Sequence, residues 1–174
     1  MDETIVSSTR EGRDGEGVVM ELESCRRVIV PVDGSENALR ALTFAASVAR
    51  MATLELHLVH VPPLGPMEMM EVMGYPMVTR RQAEATAAEF DRLREEGSAR
   101  VFAAARERLA ADMNVIEAAV PGDPGQAIVV YAERQAPAMI VMGNRGLSNM
   151  QGLVMGSVSD KVLRQAACPV TIVR

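Results

Sequence analysis

The chain is 174 residues long, 48% hydrophobic and only 3% aromatic, with a formal net charge of −5. That length favours one domain with a sizeable core, and apolar content carried by alanine, valine and methionine suits helices packed on a sheet. The acidic balance argues against a general nucleic-acid binder, which needs basic patches, and no apolar run reaches the roughly 20 residues of a membrane span.

Residues 1–24 mix charge, serine and glycine without a sustained period, so a flexible leader is expected ahead of a single domain over 25–174. The leader has neither the basic n-region nor the apolar h-region of a signal peptide, and a cytoplasmic location is expected. Val28–Val32 is β-branched on both faces, as a central strand buried from both sides should be. Pro31 is expected to end its hydrogen bonding. Asp33-Gly34-Ser35 then turns the chain, with Ser35 as N-cap and Glu36 in the first turn, where a negative charge suits the helix dipole. Ala38, Leu39, Leu42, Ala45, Ala46 and Ala49 make the apolar stripe of the helix that follows.

Leu54–Val61 reads as the second strand, with Leu54, Leu56 and Leu58 on one face and Glu55, His57 and Val59 on the other. His57 and His60 lie in it without a carboxylate arrangement suited to zinc, and carry little signal by themselves. Residues 62–78 break the pattern with four prolines, two glycines and five methionines. Such an excursion is either an adaptable lid or partner surface, or an unstructured insertion. Residues 79–112 read as one long helix with Phe90, Leu93, Gly97, Val101, Ala104 and Leu109 inward, and Gly97 is expected close against the sheet.

Val115–Val120 is the third strand. Asp123 and Pro124 then stand as N-cap and first helical residue, and Ala127, Ile128, Tyr131 and Ala132 form the buried face. Pro137 ends that helix, Met139–Met142 begins the fourth strand, and Pro169 introduces a fifth, Val170–Val173. Cys25 and Cys168 belong to no metal-spaced pair and are expected as free thiols.

Between the fourth strand and the last helix stand Gly143, Gly146 and Gly156, the last directly before Ser157. Ser157 is expected to cap the helix through Val158, Lys161, Val162 and Gln165. A strand, a glycine-punctuated loop and a helix start make a phosphate site, because the backbone can approach closely and the first helical N–H groups lack partners. The competing reading is a glycine-rich surface loop that binds nothing. The β-α-β-α-β-α-β-α-β order predicts a three-layer α/β/α sandwich: a Rossmann-like, five-stranded parallel sheet with expected order 3-2-1-4-5. Ligands of such sheets sit beyond the carboxyl ends of the strands where the winding reverses, so Asp33 and Gly143 would border one crevice.

Three segments resemble the universal stress protein family, in its ATP-binding subgroup: Val28–Ser35, Ala167–Arg174, and the spaced motif Gly143-x2-Gly146-x9-Gly156-Ser157. The likeness runs from about Arg27 to Arg174. It implies the adenine nucleotide alpha hydrolase-like variant of the fold, and ATP, accompanied by Mg2+, as the ligand. By resemblance, Asp33 would hydrogen-bond ribose or lie beside the adenosine, Pro31 and Val32 would line the base pocket, and the Val61 backbone would meet adenine. Met142 and Gly143 would pack beneath ribose and phosphates. Gly146, Gly156, Ser157, Val158 and Ser159 would hold the phosphate chain through N–H groups and hydroxyls. Arg145 stands at a variable position, where its charge would reach a phosphate or point to water. For Ser157 and Ser159 the plain alternative is helix capping, and for Asp33 a turn-stabilising carboxylate. Asn144 replaces a common serine, and Ala138 a common aspartate.

The resemblance implies a nucleotide-dependent regulatory or stress-response module, with at most slow hydrolysis and a protein partner that reads ATP occupancy. No P-loop lysine-serine pair, catalytic constellation or metal site is evident in the sequence. An ATP-pyrophosphatase-like or adenylyl-transferring enzyme would want a serine-glycine-rich loop after the first strand or paired histidines, which Asp33–Ala38 does not supply. A third reading is a nucleotide-free dimeric scaffold. Val170–Val173, an apolar and unblunted edge strand, is expected to pair with a further strand, and the resemblance implies that this is the same strand of a second copy, giving a homodimer.

Overall fold

The computed structural model describes residues 25–65, 80–147 and 155–174. Strand β1 (Arg27–Pro31) leads to α1 (Glu36–Ala52), β2 (Glu55–His60) and α2 (Arg80–Arg106). Then come β3 (Val115–Ala119), α3 (Pro124–Arg134), β4 (Ala138–Gly143), α4 (Ser157–Gln165) and β5 (Val170–Val173). All strands are parallel, as the alternation predicted, and their order is the expected β3-β2-β1-β4-β5. The leader, residues 66–79 of the Met-rich excursion and its junction, and residues 148–154 of the glycine motif lie outside the described residues.

Period-two alternation along the strands divides the core between two faces. Val28, Val30, Leu56, Leu58 and Val141 pack with Leu42, Ala45 and Phe102, which places α1 and α2 on one side. Ile29, Val59, Ile140, Met142, Val170 and Ile172 pack with Ile128, Ala132 and Val162, which places α3 and α4 on the other. β1 is buried on both faces, as its β-branched sequence requires. Its exit is asymmetric. The ladder to β4 ends at Ile29, whereas the ladder to β2 continues until Val32 N donates to Val59 O at 2.8 Å. By the alternation of the ladder, the donor missing at Pro31 faces β4, where pairing has already stopped, so the proline interrupts nothing.

Helix starts follow local chemistry. Ser35 Oγ accepts from Ala38 N, and Asp123 Oδ1 accepts from Gln126 N with Pro124 at the first helical position. The last helix differs from expectation: its N-cap is Gly156, without a side-chain cap bond, and Ser157 is already helical. The long helix also ends earlier than expected, at Arg106, before the turn around Leu109. Its inward face runs through Ser98, Phe102 and Ala105, and Leu93 is exposed. Nothing lies within 4 Å of a Cβ built at Gly97, so no close sheet contact explains that glycine. Val101 and Leu109 pack partly buried against the same core cluster as Phe102, so the expected face holds in part and is rotated toward Phe102 and Ala105. Cys25 and Cys168 are free thiols, and burial pushes Cys168 up to about 11. Among the described residues no helix is long and apolar enough to cross a membrane.

Candidate functional site

The chain leaves β1 toward β2 and β3 and returns through β4 and β5, so β1 and β4 flank the point where the winding reverses. Beyond their carboxyl ends lies a cavity of about 280 Å3. Its walls include Pro31, Val32 and Asp33 from the β1 exit and Val61 from the β2 exit. Met142, Gly143, Arg145 and Gly146 come from the β4 exit, and Gly156, Ser157, Val158 and Ser159 from the start of α4. Every residue singled out in the sequence therefore borders one space. Val59, His60, Pro124, Ile128, Ala38 and Leu147 border it too and were not foreseen. Pro124 and Ile128 carried a usable signal, because a helix start on that face of the sheet must open toward the same crevice. His60 carried none, since its role depends on a partner 28 positions away.

Asp33 organises the floor. Its Oδ1 accepts from Ser35 N at 2.9 Å, closing the turn that Gly34 enters at φ +85°. Its Oδ2 accepts from Leu147 N at 3.1 Å, tying the β1 exit to the loop after β4. A Cβ at Gly146 would stand 2.4 Å from that same oxygen. The glycine at 143 has a different cause: a Cβ there would meet the Asn37 carbonyl carbon and oxygen at 2.8 Å, so α1 can pack this closely only against a bare backbone.

The start of α4 forms the opposite wall. Asp160 N is the first to find a helical acceptor, Gly156 O, which leaves the N–H groups of Ser157, Val158 and Ser159 without intrahelical acceptors at the positive end of the dipole. The N–H of Gly156 is engaged with Asn144 O at 2.8 Å. Ser159 is buried, and its hydroxyl lies 2.9 Å from both Asn144 O and Gly156 O, to one of which its single proton is donated. These two groups fasten the loop to the helix. Among the described residues the free donors are the backbone amides.

One more donor is unmatched. Arg145 Nε is buried and has no hydrogen-bond partner among the described residues. A buried guanidinium N–H without an acceptor is costly. The cavity thus combines apolar lining from Val59, Val61, Ile128 and Met142 with Arg145 and the amide-rich start of α4. Among the described residues no group of three or more histidines, cysteines, aspartates or glutamates could hold a metal ion.

The sequence profile of the Universal stress protein family matches residues 24–174. The chain belongs to that family. A universal stress protein of Thermus aquaticus, encoded in the QAH/OAS sulfhydrylase 3' region, is 30% identical over 149 residues, covering 86% of this chain and 98% of the relative. The solved structure of the Methanocaldococcus jannaschii universal stress protein MJ0577 superposes with a TM-score of 0.67 at 25% identity, over 86% of this chain and 96% of that one. The universal stress protein of Archaeoglobus fulgidus in complex with dAMP shares the fold, with a TM-score of 0.52 at 23% identity, over 86% of this chain and 98% of that one. In this universal stress protein, the residues of the family motif Gly143-x2-Gly146-x9-Gly156-Ser157 line the cavity.

Proposed function

We propose that this universal stress protein is a cytoplasmic ATP-binding regulatory module, whose nucleotide occupancy is read by a partner protein. The observation that carries the reading is the start of α4, where the Ser157, Val158 and Ser159 amides lack intrahelical acceptors and border the same cavity as Arg145. Cationic and amide donors without acceptors suit a phosphate chain. The apolar lining from Val32, Val61 and Met142 suits a base, and the carboxylate of Asp33 on the same cavity suits a ribose. The dAMP complex of the Archaeoglobus fulgidus protein is consistent with an adenine nucleotide. Magnesium would arrive on the triphosphate, with its remaining ligands supplied by water.

In this reading Pro31, Val32 and Val61 contact the base, Asp33 the ribose, and Met142 and Gly143 the underside of ribose and phosphates. Gly146, Ser157, Val158 and Ser159 present N–H groups to the phosphates, joined by Arg145. Gly156 and the Ser159 hydroxyl set the loop's position. A homodimer through β5 is part of the proposal. Ile140 N donates to Pro169 O and Asn144 N to Val173 O, so residues 169, 171 and 173 turn their polar groups toward β4. Val170 and Ile172 turn theirs to the open edge, a template for a second strand.

The test is the nucleotide content of the purified protein, released by denaturation and identified by chromatography with mass detection. ATP is the expected finding. ADP alone would favour the slow-ATPase reading, and an empty protein with no thermal shift in millimolar ATP and magnesium would leave the scaffold reading.

A further inference from the structure

We propose that His60 is a positioning residue for base recognition, because its ring takes the Val32 carbonyl that the sheet would otherwise give to the Val61 N–H. In the β1–β2 ladder Val32 N donates to Val59 O at 2.8 Å. The next bond of a regular parallel ladder would run from Val61 N to Val32 O. That bond is not made. Val32 O instead lies 2.8 Å from His60 Nδ1, and since a carbonyl can only accept, Nδ1 carries the proton. The ring is 8% exposed and meets Phe102 of α2 edge-on, with centroids 6.2 Å apart and planes at 82°. On the other side of β2 the ladder to β3 continues past this point, with Val120 N donating to His60 O at 2.9 Å.

The consequence is an unpaired peptide donor in an apolar wall. Val61 is half-buried and borders the cavity, and among the described residues its N–H has no hydrogen-bond partner. A flat apolar ligand with an in-plane acceptor, such as a ring nitrogen of a purine, satisfies that donor, whereas a ligand without one leaves it unpaired. The inference rests on the nucleotide reading for the identity of the ligand, but the open ladder is a property of the protein alone.

Two measurements test it. Amide hydrogen exchange on the nucleotide-free protein is expected to show Val61 N–H exchanging as an open amide, well ahead of Val59, and becoming protected when ATP is added. His60→Phe keeps the ring and removes the donor, so Val61 should be protected without nucleotide. His60→Asn, which keeps a side-chain N–H near the Nδ1 position, should restore exchange. By calorimetry His60→Phe should bind ATP about tenfold more weakly, with inorganic triphosphate unaffected and His60→Asn within about threefold of the parent chain. Protection of Val61 in the nucleotide-free parent chain would overturn the inference, as would equal loss of ATP and triphosphate binding in His60→Phe. A parent chain that binds neither ligand would overturn the nucleotide reading, while exchange at Val61 would still decide whether His60 holds the ladder open.

Discussion

Asp33 and Gly146 meet so closely that a Cβ at residue 146 would stand 2.4 Å from Asp33 Oδ2, the oxygen that also accepts from Leu147 N. The carboxylate occupies the volume that a side chain at 146 would need. Gly146→Ala must push it aside and break the tie between the β1 exit and the loop after β4. Lost hydrogen bonds of this kind cost about 1 kcal/mol each, so a modest fall in melting temperature is expected, together with loss of ATP binding. Gly143→Ala should behave differently. Its obstacle is the Asn37 backbone at 2.8 Å, which cannot swing away, so about 1–3 kcal/mol of stability is lost through overpacking. Gly156→Ala meets nothing closer than 3.4 Å and should be the mildest of the three. Thermal melts with and without ATP separate the three outcomes, and equal destabilisation by all would contradict the assignment.

Arg145 offers a complementary test. Its Nε has no partner among the described residues, so removing the side chain costs the nucleotide-free protein little and relieves an unsatisfied buried donor. Arg145→Met is expected to melt at or above the parent temperature while binding ATP roughly 10- to 100-fold more weakly, the range for a charge-assisted bond to phosphate. Adenosine should bind both proteins alike. A variant that destabilises the fold and leaves ATP affinity intact would show that the arginine serves packing.

His57 sets an acid limit on stability. It is buried on the α3 side of β2, with Nδ1 2.9 Å from the Tyr131 hydroxyl and Nε2 without a hydrogen-bond partner. Burial lowers its pKa from the ordinary 6.5; Glu55, at 3.8 Å, raises it and Arg27 lowers it. The unfolded chain therefore binds the proton more tightly than the folded one. The contribution of neutral His57 is present in full above about pH 6.5 and is lost as pH falls below that value. Melting temperature should drop between pH 7.5 and 5.5, and His57→Gln, though less stable at pH 7.5, should show a shallower drop. Parallel curves for the two proteins would remove His57 from the acid response.

The β5 edge gives a prediction about assembly. Ile172 turns its N–H away from β4, so Ile172→Pro removes a donor from the open edge without touching the β4–β5 ladder. Sedimentation should find the parent chain dimeric and the variant monomeric, with some loss of stability because Ile172 is also buried. A variant that remains dimeric would move the contact to another surface.

What the sequence alone determined is what depends on neighbours within a few positions or on simple periodicity. Ser35 and Asp123 were readable as caps because each bonds an amide three residues on. The strands were readable from β-branched runs, and their alternation with helices implied a parallel sheet covered on both faces, whose order β3-β2-β1-β4-β5 is also the one expected. The glycine spacing was legible as a motif, but not the reason for each glycine. Gly143 answers to Asn37 of α1 and Gly146 to Asp33, both more than a hundred positions earlier. Ser157 looked like a cap because capping serines stand at helix starts, yet the loop folds back so that Gly156 takes that place and Ser159 fastens it to Asn144. The inward face of α2 and of the turn after it was legible at Val101 and Leu109, whereas Phe102 was placed inward and Leu93 outward only once the helix lay on the sheet. His60 shows the division most sharply: in sequence it is one of two histidines in an apolar strand, and only the approach of Val32, 28 positions away, makes it the group that ends a ladder. Tertiary structure decided these points because hydrogen-bond partners and close contacts are set by which backbones meet in space, a matter on which local propensity is silent.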